Sequence, residues 1–268
     1  MTEPPSRVAV LLPCYQPGDE LDATLRSLEN QGVAFKLFVV DDGSAHKPDY
    51  ATLLKPFSHR FMGLPENVGV MRVRNPALEA ILAENFEYVA LIDCGDFAKP
   101  GRLRKQLDYL EEHPDCDILG SWVELAYETG PHKVSQFPAS HQAARHMLSQ
   151  NMPVCHPALM IRTSVFKAIG LYRDIYPAAE DFDMIQRAVA AGFRIANLQE
   201  VLLQKNETRN SVSWKRRREQ LLSRFQIQWA NRNLFNPASV KGLLRTATVL
   251  ALPAGTLRSL KSLISKQI

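Results

Sequence analysis

The sequence is short of the features that mark exported, metal-stapled or membrane-spanning chains. Its four cysteines, Cys14, Cys94, Cys116 and Cys155, are widely scattered and contain no C-x-x-C pair. Neither a zinc site nor a disulfide framework is expected from that spacing. No run of about 18 apolar residues is present, so no stretch reads as a spanning helix. The opening M-T-E-P-P-S-R carries no apolar signal segment, and the expectation is a reduced, cytoplasmic protein. G-x-G-x-x-G and G-x-x-x-x-G-K-[ST] are both missing, which disfavours dinucleotide and P-loop sites. No stretch mixes basic with aromatic residues and the net charge is only +4, so nucleic acid is not an expected partner. Internal repeats and low-complexity linkers are absent too.

What is present is a regular alternation of apolar strands and helical patterns. With 268 residues, 46% of them hydrophobic, the chain is long enough for one large α/β domain with an appendage. Arg7–Tyr15 reads as a buried strand stopped by Pro13, Asp19–Leu28 as a helix, and Lys36–Val40 as a second strand ending in Asp41, Asp42, Gly43 and Ser44. Strand, helix and strand in about 35 residues imply a right-handed crossover and a parallel sheet. Phe61–Leu64 is a short third strand, followed by a helix that carries Arg72, Arg74 and Leu78. Tyr88–Asp96 is the fourth strand, and Leu103, Leu107 and Leu110 mark the next helix.

Beyond Cys116 the alternation loosens. Cys116–Tyr127 and Lys133–Phe137 read as strands, Ala144–Leu148 as helix, and Ala158–Arg162 as a strand after His156 and Pro157. Thr163 is a plausible N-cap for a helix ending at Gly170. Glu180–Ala191 is a helix closed by Gly192, and Arg194–Leu203 returns as a strand. Trp214–Phe235 is helical. From Ser239 to Ile268 the chain has five basic residues, Lys241, Arg245, Arg258, Lys261 and Lys266, and no acidic one. Its apolar residues fall at helical spacing in two segments separated by Pro253 and Gly255. Such a basic amphipathic pair suits a membrane interface; the alternative is that the stripe packs on the domain or on a second subunit.

Three strand ends carry polar or acidic tips: Pro13–Tyr15, Asp41–Ser44 and Asp93–Asp96. In a parallel sheet with short connections, such tips converge on one edge. A carboxylate-rich cleft suits hydrogen bonding to a nucleoside, or a divalent metal that neutralises phosphates. Alone, Asp93 and Asp96 could equally cap the helix that follows.

The ordered series V-V-D-D-G-S, E-N-x-G, R-N-x-A, a D-x-x-D strand end, H-P-A-L-M-I-R and A-E-D-F-D resembles the family 2 glycosyltransferases, inverting enzymes with the A-type nucleotide-sugar fold. The resemblance covers about Arg7 to Ser213. It implies an α/β fold with a mostly parallel nucleotide-binding sheet flanked by helices. A glycosyltransferase domain would occupy residues 1–212, its nucleotide-sugar half at about 5–115 and its acceptor half at about 116–212. Residues 213–268 would be a helical, basic, amphipathic extension.

The resemblance also implies roles. Pro13, Tyr15, Asp42, Asn67, Arg74 and Asp93 would bind the donor, with Asp42 accepting from the base and Arg209 closing over the pyrophosphate. His156 and Glu180 would lie on the acceptor side, with Asp181 as catalytic base and Asp183 beside it. An aspartate at a helix start is favoured as the anion by the helix dipole, which suits a base. The implied partners are a UDP- or dTDP-linked sugar and a carbohydrate or lipid-linked acceptor in cell-surface glycan assembly. Residues 239–268 would touch the inner face of the membrane. One position departs from the family motif D-x-D-D: Gly95 stands where the metal-binding carboxylate is usual. Magnesium or manganese held by Asp93 and Asp96 is one reading; reliance on basic side chains is another. A catalytically silent nucleotide-sugar-binding protein of the same fold is the rival. A nucleotidyltransferase is disfavoured, since L-L-P-C-Y-Q-P lacks the glycine-rich loop that class usually shows.

Overall fold

A computed structural model describes residues 6–127, 129–207 and 216–251. The first strands are near-continuous apolar runs, as strands covered on both faces require. β1 (Val8–Cys14), β2 (Phe35–Asp41) and β3 (His59–Gly63) alternate with α1 (Glu20–Ser27) and α2 (Tyr50–Leu54). α3 (Asn75–Ala83) leads to β4 (Tyr88–Leu91), the short β5 (Phe97–Ala98) and α4 (Arg102–Glu112). The second half contributes β6 (Ile118–Tyr127), β7 (Lys133–Ser135), α5 (His141–Leu148), β8 (Met160–Arg162) and α6 (Thr163–Ile169). α7 (Glu180–Ala190), β9 (Ile195–Glu207), α8 (Arg217–Ala230) and α9 (Pro237–Ala251) follow.

Among the described residues one sheet of nine strands forms, in the order β3-β2-β1-β4-β8-β6-β9-β5, with β7 paired to β6. The pairings make β1, β2, β3, β4, β6 and β9 run one way, while β5, β7 and β8 run against them. The sheet is therefore mostly parallel. The chain builds outward from β1 to β3 and then returns to place β4 on the other side of β1. That reversal is the topological switch point of an open α/β sheet, where such folds bind ligands. Register aligns the tips there: Cys14 lies opposite Asp41, and Leu11 opposite Leu91.

Two apolar layers sandwich this sheet. One gathers Leu11, Phe38, Leu78, Ile81 and Phe182; the other gathers Leu12, Leu21, Leu37, Leu107 and Met160. Arg102 is almost wholly buried against the end of β4, in the middle of the sheet. Its Nη2 donates to the Leu91 carbonyl at 2.8 Å and its Nε to Gln106 Oε1 at 3.0 Å. Burial pushes this guanidinium down to about 10.

Several boundaries differ from the sequence expectation. β4 stops at Leu91 rather than Asp96, because the backbone turns through Asp93–Asp96 and re-enters the sheet as β5, antiparallel to β9. β9 runs on to Glu207 rather than Leu203, since β6 supplies pairing partners for that whole length. α3 begins at Asn75, so Arg72 and Arg74 precede it. Thr163 is not an N-cap: it is the first helical residue, and its hydroxyl donates to the Phe86 carbonyl at 2.7 Å.

The C-terminal helices pack on the second half of the domain. The Ala178 amide donates to Ser223 Oγ at 3.0 Å, and Thr246 Oγ1 donates to Gln228 Oε1 at 2.8 Å. Leu243 and Thr246 of α9 are buried, while Leu244 is exposed. Part of the amphipathic stripe thus covers the protein itself. No helix among the described residues is long and apolar enough to cross a membrane. Residues 252–268, the second half of the expected basic pair, lie outside the described residues, as does Arg209.

Candidate active site

At the switch point the D-D-G-S turn is built by its own side chains. Asp41 Oδ1 accepts from the Ser44 amide at 2.9 Å. Asp42 accepts from the amides of Val68 and Gly69 at 2.7 and 2.9 Å, so its carboxylate holds the loop that carries Asn67. Gly43 sits at φ +67° with the Asn67 amide nitrogen only 2.6 Å from where a Cβ would lie. Only glycine accommodates both the left-handed backbone and that approach. Asp42 is therefore buried and partnered, with lone-pair capacity left on its two oxygens. Tyr15 and Asn67 are exposed at the rim, and Pro13 is half-buried.

Arg74 is the centre of the deeper site. Only 6% of its side chain is exposed. Nη2 donates to Asp93 Oδ1 at 2.7 Å, and Nη1 to the Val70 carbonyl at 2.9 Å and Glu180 Oε1 at 3.3 Å. One guanidinium thus ties the tip of β4 to the start of α7. Burial would raise Asp93, but Arg74 and then His156 bring it below the usual carboxylate range. Glu180 moves the other way: burial and the neighbouring Asp181 anion push it up, against the pull of Arg74. His156 is buried with Nε2 2.7 Å from the Tyr172 hydroxyl. Burial and Arg74 push the imidazole down, which leaves it neutral at pH 7.

The E-D-F-D motif separates into three fates. Glu180 pairs with Arg74. Asp183 is buried and held by Arg173 and Arg187, which makes it structural. Asp181, in the first turn of α7, accepts from the Phe182 amide at 2.7 Å and has no cation within ion-pair distance among the described residues. Its carboxylate is the one acid of the motif left to act.

The turn after β4 carries Asp93 and Asp96, the candidate metal ligands, with basic side chains as the alternative source of positive charge. Gly95 adopts φ +94°, a backbone that strains any residue with a side chain. Its amide donates to Thr24 Oγ1 at 3.0 Å and its carbonyl accepts from Asn206 Nδ2 at 2.6 Å. Asp93 is committed to Arg74. Asp96 is buried, accepts from the Asn206 amide at 3.1 Å through Oδ1, and keeps Oδ2 without a partner among the described residues. Burial, then the Asp93 anion, push Asp96 up to about 7. Lys205 faces this turn, because β9 pairs Gln204 with Phe97 and so sets Lys205 beside Asp96. No group of three His, Cys, Asp or Glu among the described residues is disposed to hold a metal. Asp93 and Asp96 Oδ2 are the carboxylate oxygens that would hold a metal ion at this turn.

Asp96 yields a prediction. Its carboxyl is raised in the folded state, so the stability it contributes is complete below about pH 3.8 and is lost as pH rises through about 7. The melting temperature is expected to fall between pH 5 and pH 8, and Asp96→Asn to flatten that slope. Parallel slopes for the two proteins, read by thermal unfolding across that range, would remove the assignment.

Sequence reading missed Tyr172, Lys205 and Arg224. Lys205 lies beyond the expected end of β9, and Tyr172 sits in an irregular segment after Gly170 with no pattern to mark it. Arg224 lies on α8, where it stacks 5.1 Å from the Phe182 ring and donates to Asn151 Oδ1 at 2.9 Å.

A mostly parallel sheet with acidic tips at its switch point, followed by an antiparallel excursion through β8 and a second carboxylate motif on α7, defines an A-type glycosyltransferase fold. Residues 9–170 match the family model described as glycosyl transferase family 2. The chain belongs to that family, and its activity class is glycosyl transfer. Among curated relatives, the amylovoran biosynthesis glycosyltransferase AmsE of Erwinia amylovora is 25% identical over 257 residues, covering 90% of this chain and 93% of that protein. An Escherichia coli UDP-Gal:alpha-D-GlcNAc-diphosphoundecaprenol beta-1,3-galactosyltransferase is 25% identical over 141 residues, 52% of this chain and 50% of that protein. Staphylococcus aureus TarS 1-349 in complex with UDP-GlcNAc superposes with a TM-score of 0.66 at 18% identity, covering 91% of this chain and 70% of that one. The mannosyltransferase PcManGT from Pyrobaculum calidifontis, solved with GDP-Man and Mn2+, gives 0.64 at 17% identity, covering 93% and 71%.

Proposed function

We propose that this chain is an inverting glycosyltransferase that moves a hexose-type sugar from a UDP- or dTDP-linked donor onto a carbohydrate or lipid-linked acceptor in cell-surface polysaccharide assembly. The observation that carries the reading is the sorting of the E-D-F-D carboxylates, which ties down Glu180 and Asp183 and leaves Asp181, next to Glu180 in the first turn of α7, without an ion-pair partner among the described residues. In this reading Asp181 removes the proton from the acceptor hydroxyl as its oxygen attacks the anomeric carbon from the face opposite the nucleotide. Pro13, Tyr15 and Asn67 surround the nucleoside at the rim, and Asp42 lies buried beneath them with lone-pair capacity left for the base. Arg74 acts through Asp93 and Glu180 rather than on the donor directly, and His156 with Tyr172 forms the floor toward the acceptor. The outward Leu234, Phe235 and Leu244, with the basic residues of 239–251, support a place at the inner face of a membrane.

The test is the stereochemistry of transfer from a panel of nucleotide sugars. Proton NMR of the product is expected to show the anomeric configuration opposite to the donor's; retention would overturn the mechanism.

The leaving diphosphate needs positive charge. Lys205, beside the Asp93–Asp96 turn and paired with Glu207 at 3.3 Å, is a cation near enough to supply it; burial lowers its affinity for the proton, and nearby anions, Asp96 and Glu207 among them, raise it. Transfer is expected to survive EDTA and to fall on Lys205→Met. Loss of activity in EDTA with rescue by Mn2+ would instead assign a metal to Asp93 and Asp96.

A further inference from the structure

Arg217 and Arg224 of α8 and Arg245 of α9 line one small pocket, about 140 Å³, together with Gln150 and Thr246. Its wall contains no carboxylate. Glu219, the acidic residue of these two helices, is already paired with Arg216. Among the described residues neither Arg217 nor Arg245 has a carboxylate within 4 Å, and Arg217 Nε is buried without a hydrogen-bond partner. Among the described residues Arg224 makes a single hydrogen bond, to the neutral Asn151. Burial pushes the Arg224 guanidinium down, Asp181 opposes that, and Arg245 adds to it. Three converging guanidiniums with spare donors form a costly arrangement unless an anion joins them.

We infer that Arg217, Arg224 and Arg245 form a binding site for an organic phosphate, and that its occupant is the diphosphate of a lipid-linked acceptor. Guanidinium forks match phosphate oxygens in bidentate pairs. The pocket is smaller than the roughly 300–1,000 Å³ of a site that encloses a whole small molecule, as suits a head group whose remainder lies outside. Its position decides between donor and acceptor. The donor's phosphates belong at the tips of β1, β2 and β4, whereas Arg224 stacks on Phe182, the residue after the proposed base. A phosphate here would lie near the start of α7 and away from those strand tips, where Asp181 acts on Arg224, which assigns it to the acceptor in the proposed mechanism. These two helices and the segment joining them expose Leu222, Leu234, Phe235 and Leu244, apolar surface on which a hydrocarbon chain could lie outside the pocket.

The inference rests on the glycosyltransferase reading above, and the experiment separates the two. The full chain, saturated with UDP to fill the donor cleft, is titrated calorimetrically with farnesyl diphosphate and with inorganic diphosphate. Both are expected to bind at a second site, farnesyl diphosphate more tightly. Arg217→Ser and Arg245→Ser are each expected to weaken both by about tenfold to a hundredfold, the loss of one charge-assisted contact, with UDP affinity and melting temperature retained. Failure of UDP itself to bind would overturn the nucleotide-sugar reading. UDP binding without a second diphosphate event would overturn the arginine site alone. Flotation with vesicles of phosphatidylglycerol and phosphatidylcholine separates the sources. If the serine variants lose vesicle binding yet hold farnesyl diphosphate as tightly as before, the site reads phospholipid head groups and the acceptor assignment fails.

Discussion

Asp181→Asn is expected to slow transfer by about 10²–10⁴-fold, the usual range for a positioned general base, with affinity for the donor nucleotide unchanged. The amide keeps the size of the carboxylate and can still accept from the Phe182 amide as Asp181 Oδ1 does, so the start of α7 is preserved while the proton acceptor is lost. Glu180 cannot substitute, because it is buried against Arg74, and Asp183 is locked between two arginines. The measurement is single-turnover transfer beside nucleotide binding in the same preparations. Transfer at the wild-type rate would exclude Asp181 as the base.

Arg74→Met is expected to destabilise the fold by about 3–5 kcal/mol, the cost of breaking a buried ion pair and leaving its partner behind. The value belongs at the low end, because the Asp93 side chain is 38% exposed and water can reach it once the arginine is gone. At about 2–4 °C per kcal/mol for a chain of this size, the melting temperature falls by roughly 10 °C. The loss grows with pH, since Asp93 and Glu180 are then both anions without a cation between them. Thermal unfolding at pH 6 and pH 8 reads both effects; an equal and small shift at the two would show that Arg74 is not the clamp. Donor binding is expected to weaken as well, because Arg74 sets the distance between the β4 tip and α7.

The two variants probe different parts of one arrangement. Arg74 holds the tip of β4 to the start of α7, the helix that bears the proposed base Asp181. In the proposed mechanism sugar and acceptor meet between β4 and α7, elements separated by about 90 residues of sequence, and Arg74 is the buried cation that joins the two. Tyr172 supports it from below: its ring lies 6.0 Å from the Arg74 guanidinium carbon, and its hydroxyl meets His156.

Much of this was legible from residue order. The apolar runs of β1, β2 and β4, each ending in a polar tip, are local patterns, because a strand covered on both faces can be little else. The D-D-G-S turn, the acidic start of α7 and the helix periodicities are likewise carried by neighbours in the chain, and so is the order of motifs that points to family 2. Gly95 as a departure was visible too, although its positive φ was not.

Only the tertiary structure decided which acidic residues remain free to act. Asp42 is claimed by the amides of Val68 and Gly69, Asp93 and Glu180 by Arg74, Asp183 by Arg173 and Arg187. Asp181 stands apart. A carboxylate's partners come from whichever distant segments the fold brings within about 3 Å, and no spacing in the sequence encodes that distance. The same holds for Lys205 beside Asp96 and for the three arginines of α8 and α9: residue type and local period place each on its element, but their convergence is a property of how the elements pack.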